Sequence, residues 1–312
     1  MLTINSNLRR RAEILAEIRT FFAKRNVLEV ETPLLSASTN PAPHLQSFTT
    51  TLELSEAPKT YYLQTSPEFA MKRLLAAGSG DIYQICKAFR NQEIGSLHNP
   101  EFTILEWYRI SFDHHALMDE MDKLLNNLIN TPKAKRYTYS EIFYNYLQLD
   151  PFASEISQLK LCAKNRGFVS EEVSEEESVW LELLFANFIE PQLGKENPVF
   201  IYDFPKDQAM LARINPDNKT AARFEVYYQG IELANGFYEL NNAEEQRKRF
   251  LDDLGKRKGL QLPMIPIDEN FLAALAKLPD CAGVALGLDR LLLLANGKTS
   301  IKEILSFPID CA

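Results

Sequence analysis

Cysteine is scarce and dispersed. Four occur in 312 residues, Cys86, Cys162, Cys281 and Cys311, and no two stand in a Cys-x-x-Cys or zinc-like spacing. A disulfide framework and a thiolate metal site are thereby excluded, and the thiols read as reduced, as in a cytoplasmic protein. Histidine is as rare: four, two of them adjacent (His114, His115), which argues against a multi-histidine metal centre. No apolar run approaches the roughly 20 residues of a membrane span. Met1 to Arg11 is polar and basic, without the apolar stretch of a signal peptide. Surplus positive charge is missing too. The net charge of −8 argues against a surface dominated by phosphate contacts, although a local basic patch remains compatible with nucleic acid. No repeat or low-complexity segment is present.

What remains is ample. With 46% apolar residues the chain can bury a large core, and its length suggests roughly two domains, or one large domain with an insertion. Residues 6–25 carry a helical stripe (Ile14, Ile18, Phe21, Phe22), with Ser6 as the expected cap and Asn26 as the stop. "VLEVETP" alternates like a strand until Pro33. A loop-rich stretch with a short strand near Phe48 follows. "YYLQTSPEFAMKRLLAAG" reads as strand, turn and helix, with Ser66 as cap, Pro67 at the first helical position and Gly78 closing it. Residues 114–190 look helical, an insertion whose acidic run Glu171 to Glu177 reads as a solvated face. Strands return at "PVFIYDFP" and "ARFEVYYQGIELANGFYEL". Asn242 caps a helix, and "CAGVALG" runs into a helix ended by Gly297. Long strand runs with helices between them predict an α+β fold, an antiparallel or mixed sheet flanked by helices.

Three stretches carry chemistry. In "DIYQICKAFR" and "FTILEWYRI", two strands of an expected hairpin, alternation places Phe102, Ile104, Glu106 and Tyr108 on one face and Gln84, Cys86, Ala88 and Arg90 on one face of the partner. Such a floor could hold an aromatic base on Phe102, a phosphate at Arg90 and a cation at Glu106 and Tyr108. A solvated hairpin with ion pairs explains the polar residues equally well, but not Phe102 and Tyr108 among them. In the second stretch, a turn at Gln229-Gly230 would set Tyr227 opposite Glu232 and make Glu225 and Glu232 diagonal neighbours. Two like carboxylates on one face call for a cation, and hard oxygen ligands suit Mg²⁺. Glu239 has the wrong parity for that face unless a bulge lies at Asn235-Gly236. In the third, "GVALGLDR", Gly287 permits close backbone approach. Arg290 falls in a first helical turn, where the dipole disfavours a cation, so a ligand-facing role is expected.

These residues resemble a family. "EVETPLL", "FRNQ…HNPEF" and "GLDR", in that order, resemble motifs 1, 2 and 3 of class II aminoacyl-tRNA synthetases. "HNPEFT", "GIELANGFYELN" and "QRKRF" resemble the catalytic domain of the lysyl enzymes, over about residues 6 to 306. The resemblance implies one catalytic domain over residues 1–312, with a mostly helical insertion at about 112–197 and no N-terminal anticodon-binding OB domain. That truncated form, with "ILEWYR", is similar to a ligase branch of the family. In that branch (R)-β-lysine is joined to a lysine side chain of elongation factor P instead of tRNA.

The resemblance also implies roles. Arg90 would bind the ATP α-phosphate, Phe102 and Arg290 would sandwich the adenine, and Asn99 would hold its edge. Arg90 and Arg290 would be the catalytic pair, with Asn91, Gln92, His98, Glu232, Leu233 and Gly287 also at the nucleotide. Ser66, Pro67 and Glu68 would lie at the amino-acid end of the substrate. Glu106, Tyr108, Asn235 and Glu239 would take its side-chain ammonium. Glu225 and Glu232 would ligate Mg²⁺, and Pro33 would lie at a homodimer interface. There are departures from the family pattern. Gln92 stands where motif 2 has glutamate, Ser96 and Leu97 where an arginine is usual, and Ala285 where lysyl enzymes have glycine. The added methyl fits a substrate with a shifted amino group. The rival readings are a minimal lysyl-tRNA synthetase, an inactive amino-acid-binding regulator, and an amide synthetase using ammonia.

Overall fold

The computed structural model describes residues 2–55, 57–168 and 175–312, with side chains from residue 6 onward. The chain divides into two compact units, Met1–Phe112 with Glu239–Ala312, and Asp113–Tyr238.

The first unit opens with α1 (Leu2–Ala23). It starts earlier than expected, so Ser6 lies within the helix and does not cap it. Ile14, Ile18, Phe21 and Phe22 are buried as predicted, and Asn26 ends the turn in the left-handed region at φ 56°. The strand expected over "VLEVETP" narrows to β1 (Leu28–Glu29), parallel to β5. Its short pairing is reinforced by Glu29, which accepts from Arg19 and from Tyr83 Oη. β2 (Leu35–Ser36), β3 (Thr49–Leu52) and β4 (Lys59–Leu63) form a small antiparallel sheet in the order β2-β4-β3. Then come α2 (Glu68–Ala76), β5 (Ile82–Phe89) and β6 (Glu101–Ile110). β5 and β6 are antiparallel with Ala88 opposite Phe102, Gln84 opposite Glu106 and Ile82 opposite Tyr108. That is the parity the alternation predicts. Trp107, on the other face, is fully buried against Phe22, which also stacks on Tyr83 at 4.4 Å between centroids.

The second unit contains α3 (His114–Ile129), β7 (Lys135–Thr138), α4 (Tyr139–Leu147), α5 (Ile156–Asn165) and α6 (Glu177–Leu184). β7 is a strand inside a stretch expected to be helical. Four residues, two of them charged, gave no periodicity to read, and the pairing partner, β8 (Val199–Pro205), lies 64 positions on, Lys135 opposite Val199. Within the acidic run, Glu171 to Ser174 lie outside the described residues, and Glu175 to Glu177 are exposed. β9 (Thr220–Tyr228) and β10 (Ile231–Tyr238) complete a sheet in which β10, β9 and β8 are antiparallel neighbours and β7 is parallel to β8. Tyr139, Phe143, Trp180, Leu184, Phe185 and Phe204 pack together as this unit's core.

The chain returns to the first unit through α7 (Ala243–Gly259), capped as expected by Asn242, which accepts from Glu244 and Glu245 N–H at 3.0 Å. α8 (Glu269–Leu275), not anticipated, is capped by Asp268 and packs on α2, with Phe69 stacked on Phe271 at 4.1 Å. β11 (Cys281–Gly287) pairs antiparallel with β6, setting Gly283 opposite Tyr108 and Ala285 opposite Glu106. α9 (Leu288–Ala295) follows without a break and ends before Gly297, which is left-handed at φ 60°. The fold is α+β with mainly antiparallel sheets.

Candidate active site

In the first unit the strand β6 delivers Glu106 and Tyr108 to a buried, polar cluster. Both are 2% exposed. Tyr108 Oη donates to Glu106 Oε1 at 2.6 Å, and Ser66 Oγ donates to Glu106 Oε2 at 2.7 Å. Ser66 also accepts from the Glu68 N–H at 3.0 Å, but Pro67 holds the N-cap position of α2. The hydroxyl therefore joins the helix start to the carboxylate and is not a simple cap. Glu68 and Glu239 complete the cluster. Between them lies Lys72, whose Nζ is 2.6 Å from Glu68 Oε1 and 2.6 Å from Glu239 Oε2. Glu239 stands just past the end of β10, where its N–H donates to the Cys281 carbonyl at 3.0 Å.

Burial and crowding of like charge decide the electrostatics. Burial first, then the Glu68 charge, push Glu106 up to about 7, against the hydrogen bonds from Tyr108 and Ser66 and the charge of Lys72. Burial drives Glu239 up to about 8, with Glu68 and Glu106 adding and Lys72 opposing. For Lys72, burial works against the ammonium, but Glu239 and Glu68 overcome it and the amine is held protonated. Cys86, half-buried nearby, is raised to about 12 by burial and by the Glu106 charge. The cluster is a region of surplus negative charge with a raised affinity for cations.

β11 supplies the wall. A Cβ on Gly283 would overlap the Tyr108 ring and Glu239 Oε1, so no larger residue fits while those groups hold their places. Ala285, half-buried, stands opposite Glu106 in the register.

The residues after β5 form the expected loop. Arg90 N–H donates to the Pro100 carbonyl at 2.9 Å, closing it. The Arg90 guanidinium lies 5.2 Å from the Phe102 ring centroid and 3.7 Å from Glu93 Oε1. Gln92 takes φ 70°, in the left-handed region, and is exposed, as is Asn91. Thus Glu93, one place beyond the usual motif position, stands near the arginine. Asn99 is buried and its amide is committed internally: Nδ2 donates to the Glu101 carbonyl at 2.6 Å, and Oδ1 accepts from Ile309 N–H at 3.0 Å. Arg290 Nη2 meets His98 Nε2 at 2.6 Å, and its Nε reaches the Leu97 carbonyl at 3.4 Å. Asp289 fixes the start of α9. It accepts from Thr103 N–H at 2.7 Å and is ion-paired to Arg11. Gly287 is its N-cap residue.

In the second unit, Gln229 (φ 53°) and Gly230 (φ 74°) make the predicted tight turn, with Tyr227 opposite Glu232. The bulge falls between Glu232 and Ala234 and not at Asn235-Gly236, so buried Leu233 is the extra residue. Leu233 is passed over in the pairing with β9, and the register resumes with Ala234 opposite Val226 and Asn235 opposite Glu225. Buried Glu225 accepts from Arg223 and from Tyr227 Oη. Its proton affinity is raised by burial, lowered by Arg223 and raised again by the charge of Glu232. Asn235 Oδ1 accepts from Arg223 Nε at 3.3 Å. Among the described residues no three His, Cys, Asp or Glu side chains group as a metal site. The pair Glu225 and Glu232 offers hard oxygens, with Glu225 already ion-paired to Arg223. Such oxygens suit a hard divalent cation, which commonly binds through one or two carboxylates plus substrate phosphate.

Two residues escaped the sequence reading. Lys72 sits four places after Glu68, a helical pairing visible in "SPEFAMKR". Gly283 gave no local signal, because its crowding comes from residues distant in the chain.

The sequence matches the family described as tRNA synthetases class II (D, K and N) over residues 2–311. The chain belongs to this family. Within it, a protein of Vibrio cholerae serotype O1 named elongation factor P–(R)-β-lysine ligase is 54% identical, over 98% of this chain and 96% of its own. Proteins of the same name from Haemophilus influenzae and Salmonella paratyphi B are each 49% identical, over 98% of this chain and 96% of their own. Among the described residues, no helix is long and apolar enough to cross a membrane.

Proposed function

We propose that this protein activates (R)-β-lysine, or lysine, with ATP and transfers the acyl group to a lysine side chain of elongation factor P. The observation that carries the reading is the buried cluster of Glu106, Tyr108, Ser66, Glu68 and Glu239, a cation-seeking pocket within the unit that also bears Arg90 and Arg290. The near full-length likeness to ligases of that name supports the acceptor.

In the first step a carboxylate oxygen of the substrate attacks the ATP α-phosphorus and pyrophosphate leaves. Arg90 neutralises charge that develops on the phosphoryl oxygens, a role for preorganised donors that removes about 2–4 kcal/mol from a barrier. Phe102 and Arg290 hold the adenine between a ring and a guanidinium, with His98 beside Arg290 facing the polyphosphate. The Asn99 side chain is internally bonded, so the adenine edge falls to backbone groups of this loop. Glu106, Tyr108 and Glu239 bind the side-chain ammonium, and Ser66 orients Glu106. Mg²⁺ held by Glu225 and Glu232 would offset phosphate charge. In the second step the unprotonated amine of the acceptor lysine attacks the acyl carbon, AMP leaves, and an amide forms. No covalent enzyme intermediate is required. The loop from His98 to Glu101 is the contact for elongation factor P, and the enzyme works as a cytoplasmic homodimer with Pro33 at its interface.

ATP–pyrophosphate exchange tests the first step. Exchange driven by a diamino acid, without any acceptor, is expected. No exchange with any lysine isomer at saturating ATP and Mg²⁺ overturns the reading in favour of an amino-acid-binding regulator.

A further inference from the structure

The pocket already contains a cation of its own. Lys72 is fully buried, and its Nζ is 2.6 Å from one oxygen each of Glu68 and Glu239. α8 places the Phe271 ring beside the ammonium, its centroid 5.9 Å from Nζ. β6 contributes Glu106 and the neutral phenol of Tyr108, and β5 the neutral thiol of Cys86. Three carboxylates and one ammonium thus make a formal charge of −2.

We infer that Lys72 is a built-in counter-cation, a positioning residue that sets the charge deficit of the site at two and so selects substrates carrying two ammonium groups. This rests on the proposed activation of a diamino acid and adds what selects it. With Lys72 present, the two ammonium groups of such a substrate match the net charge of −2 that these four side chains carry. A monoamine leaves one buried charge unpaired, and an unpaired buried charge is costly. Lys72 itself is no nucleophile, since two carboxylates hold its amine protonated. It also keeps Glu68 and Glu239 from swinging into the space the substrate needs, because one Nζ ties both to α2.

The arrangement makes substrate binding expel protons. In the empty pocket the surplus negative charge is partly offset by protons shared on Glu106 and Glu239. The two ammonium groups of the substrate displace them. Removing Lys72 leaves a deeper deficit, which the empty site fills with further protons.

The test is isothermal calorimetry of lysine and of 6-aminohexanoate on the wild type and on Lys72→Met at pH 7, in buffers of different ionisation enthalpy, with exchange kinetics alongside. Lys72→Met should release about one more proton per lysine bound than the wild type, by linkage. Its KM for lysine should rise about 10-fold or more, the scale of one nearby charge, with a smaller effect on kcat. Lys72→Arg should restore most of the affinity. As a second variant, Lys72→Ala should recover activity with added propylammonium and not with 1-propanol, which fills the same space without charge. Unchanged proton release and KM in Lys72→Met, or equal rescue by propanol, overturns the inference. A wild type that exchanges with no diamino acid yet binds lysine with proton release sinks the proposed function and leaves the role of Lys72 standing.

Discussion

Replacing Glu106 by glutamine should stabilise the empty protein at alkaline pH while abolishing its activity. Glu106 is 2% exposed and is raised to about 7 by burial and by Glu68. A carboxyl whose folded value lies above its unfolded one contributes stability that is complete below about 4.5 and is lost as pH rises through about 7. At about 1.36 kcal/mol per pH unit, the charge on Glu106 costs the empty fold about 3 kcal/mol at pH 8. Glutamine removes that cost. It also disturbs two hydrogen bonds, since Tyr108 and Ser66 both donate to the carboxylate and an amide accepts at one atom only. That loss is about 1 kcal/mol. The net expectation is a gain of about 2 kcal/mol at pH 8, shrinking to zero or slightly below at pH 4.5. Urea unfolding without ligands, at pH 5 and pH 8, measures it. A variant less stable than wild type at pH 8, with the same dependence on pH, would mean that Glu106 is not strained by its surroundings. Exchange activity should fall below detection, because the ammonium loses the acceptor that Ser66 and Tyr108 orient.

Gly283→Ala should eliminate activation of lysine while leaving ATP binding within about twofold, since the new methyl overlaps Tyr108 and Glu239 and not the nucleotide loop; equilibrium binding of each substrate separates the two. Ala285→Gly should move preference toward α-lysine by about 1–3 kcal/mol, the usual worth of one methylene in a pocket, read as the ratio of kcat/KM for the two isomers. An unchanged ratio would make Ala285 packing alone. Arg90→Ala should lower kcat for exchange about 100-fold or more with little change in lysine affinity, as for loss of a donor to developing charge. Wild-type rates in that variant remove Arg90 from the mechanism.

Much of the site was legible because it rests on alternation and local turns. The parity that puts Phe102 with Ala88 and Glu106 with Gln84 follows from a strand period of two, and Gln229-Gly230 announces its own turn. Asp289 and Arg290 follow directly from a strand that runs into a helix. The rest depends on partners remote in the chain. The bulge at Leu233 falls two places before the expected Asn235-Gly236, because parity alone does not say which residue is extra. The bonds of Asn99 to the Glu101 carbonyl and the Ile309 N–H are of this kind, since Ile309 lies 210 positions away. Lys72 belongs to the cluster through Glu239, 167 positions later, which no local pattern shows. Two carboxylates were expected to need an outside cation at Glu225 and Glu232, whereas Arg223 already binds one of them.

The acceptor is the central claim, and intact-mass spectrometry tests it most directly. Purified enzyme, ATP, Mg²⁺ and (R)-β-lysine are incubated with elongation factor P, and in parallel with purified tRNA. The account predicts a mass gain of one lysyl group on a single lysine of elongation factor P, abolished by Glu106→Gln and absent without ATP. Efficient charging of tRNA with elongation factor P left unmodified would contradict it and make the protein a minimal lysyl-tRNA synthetase.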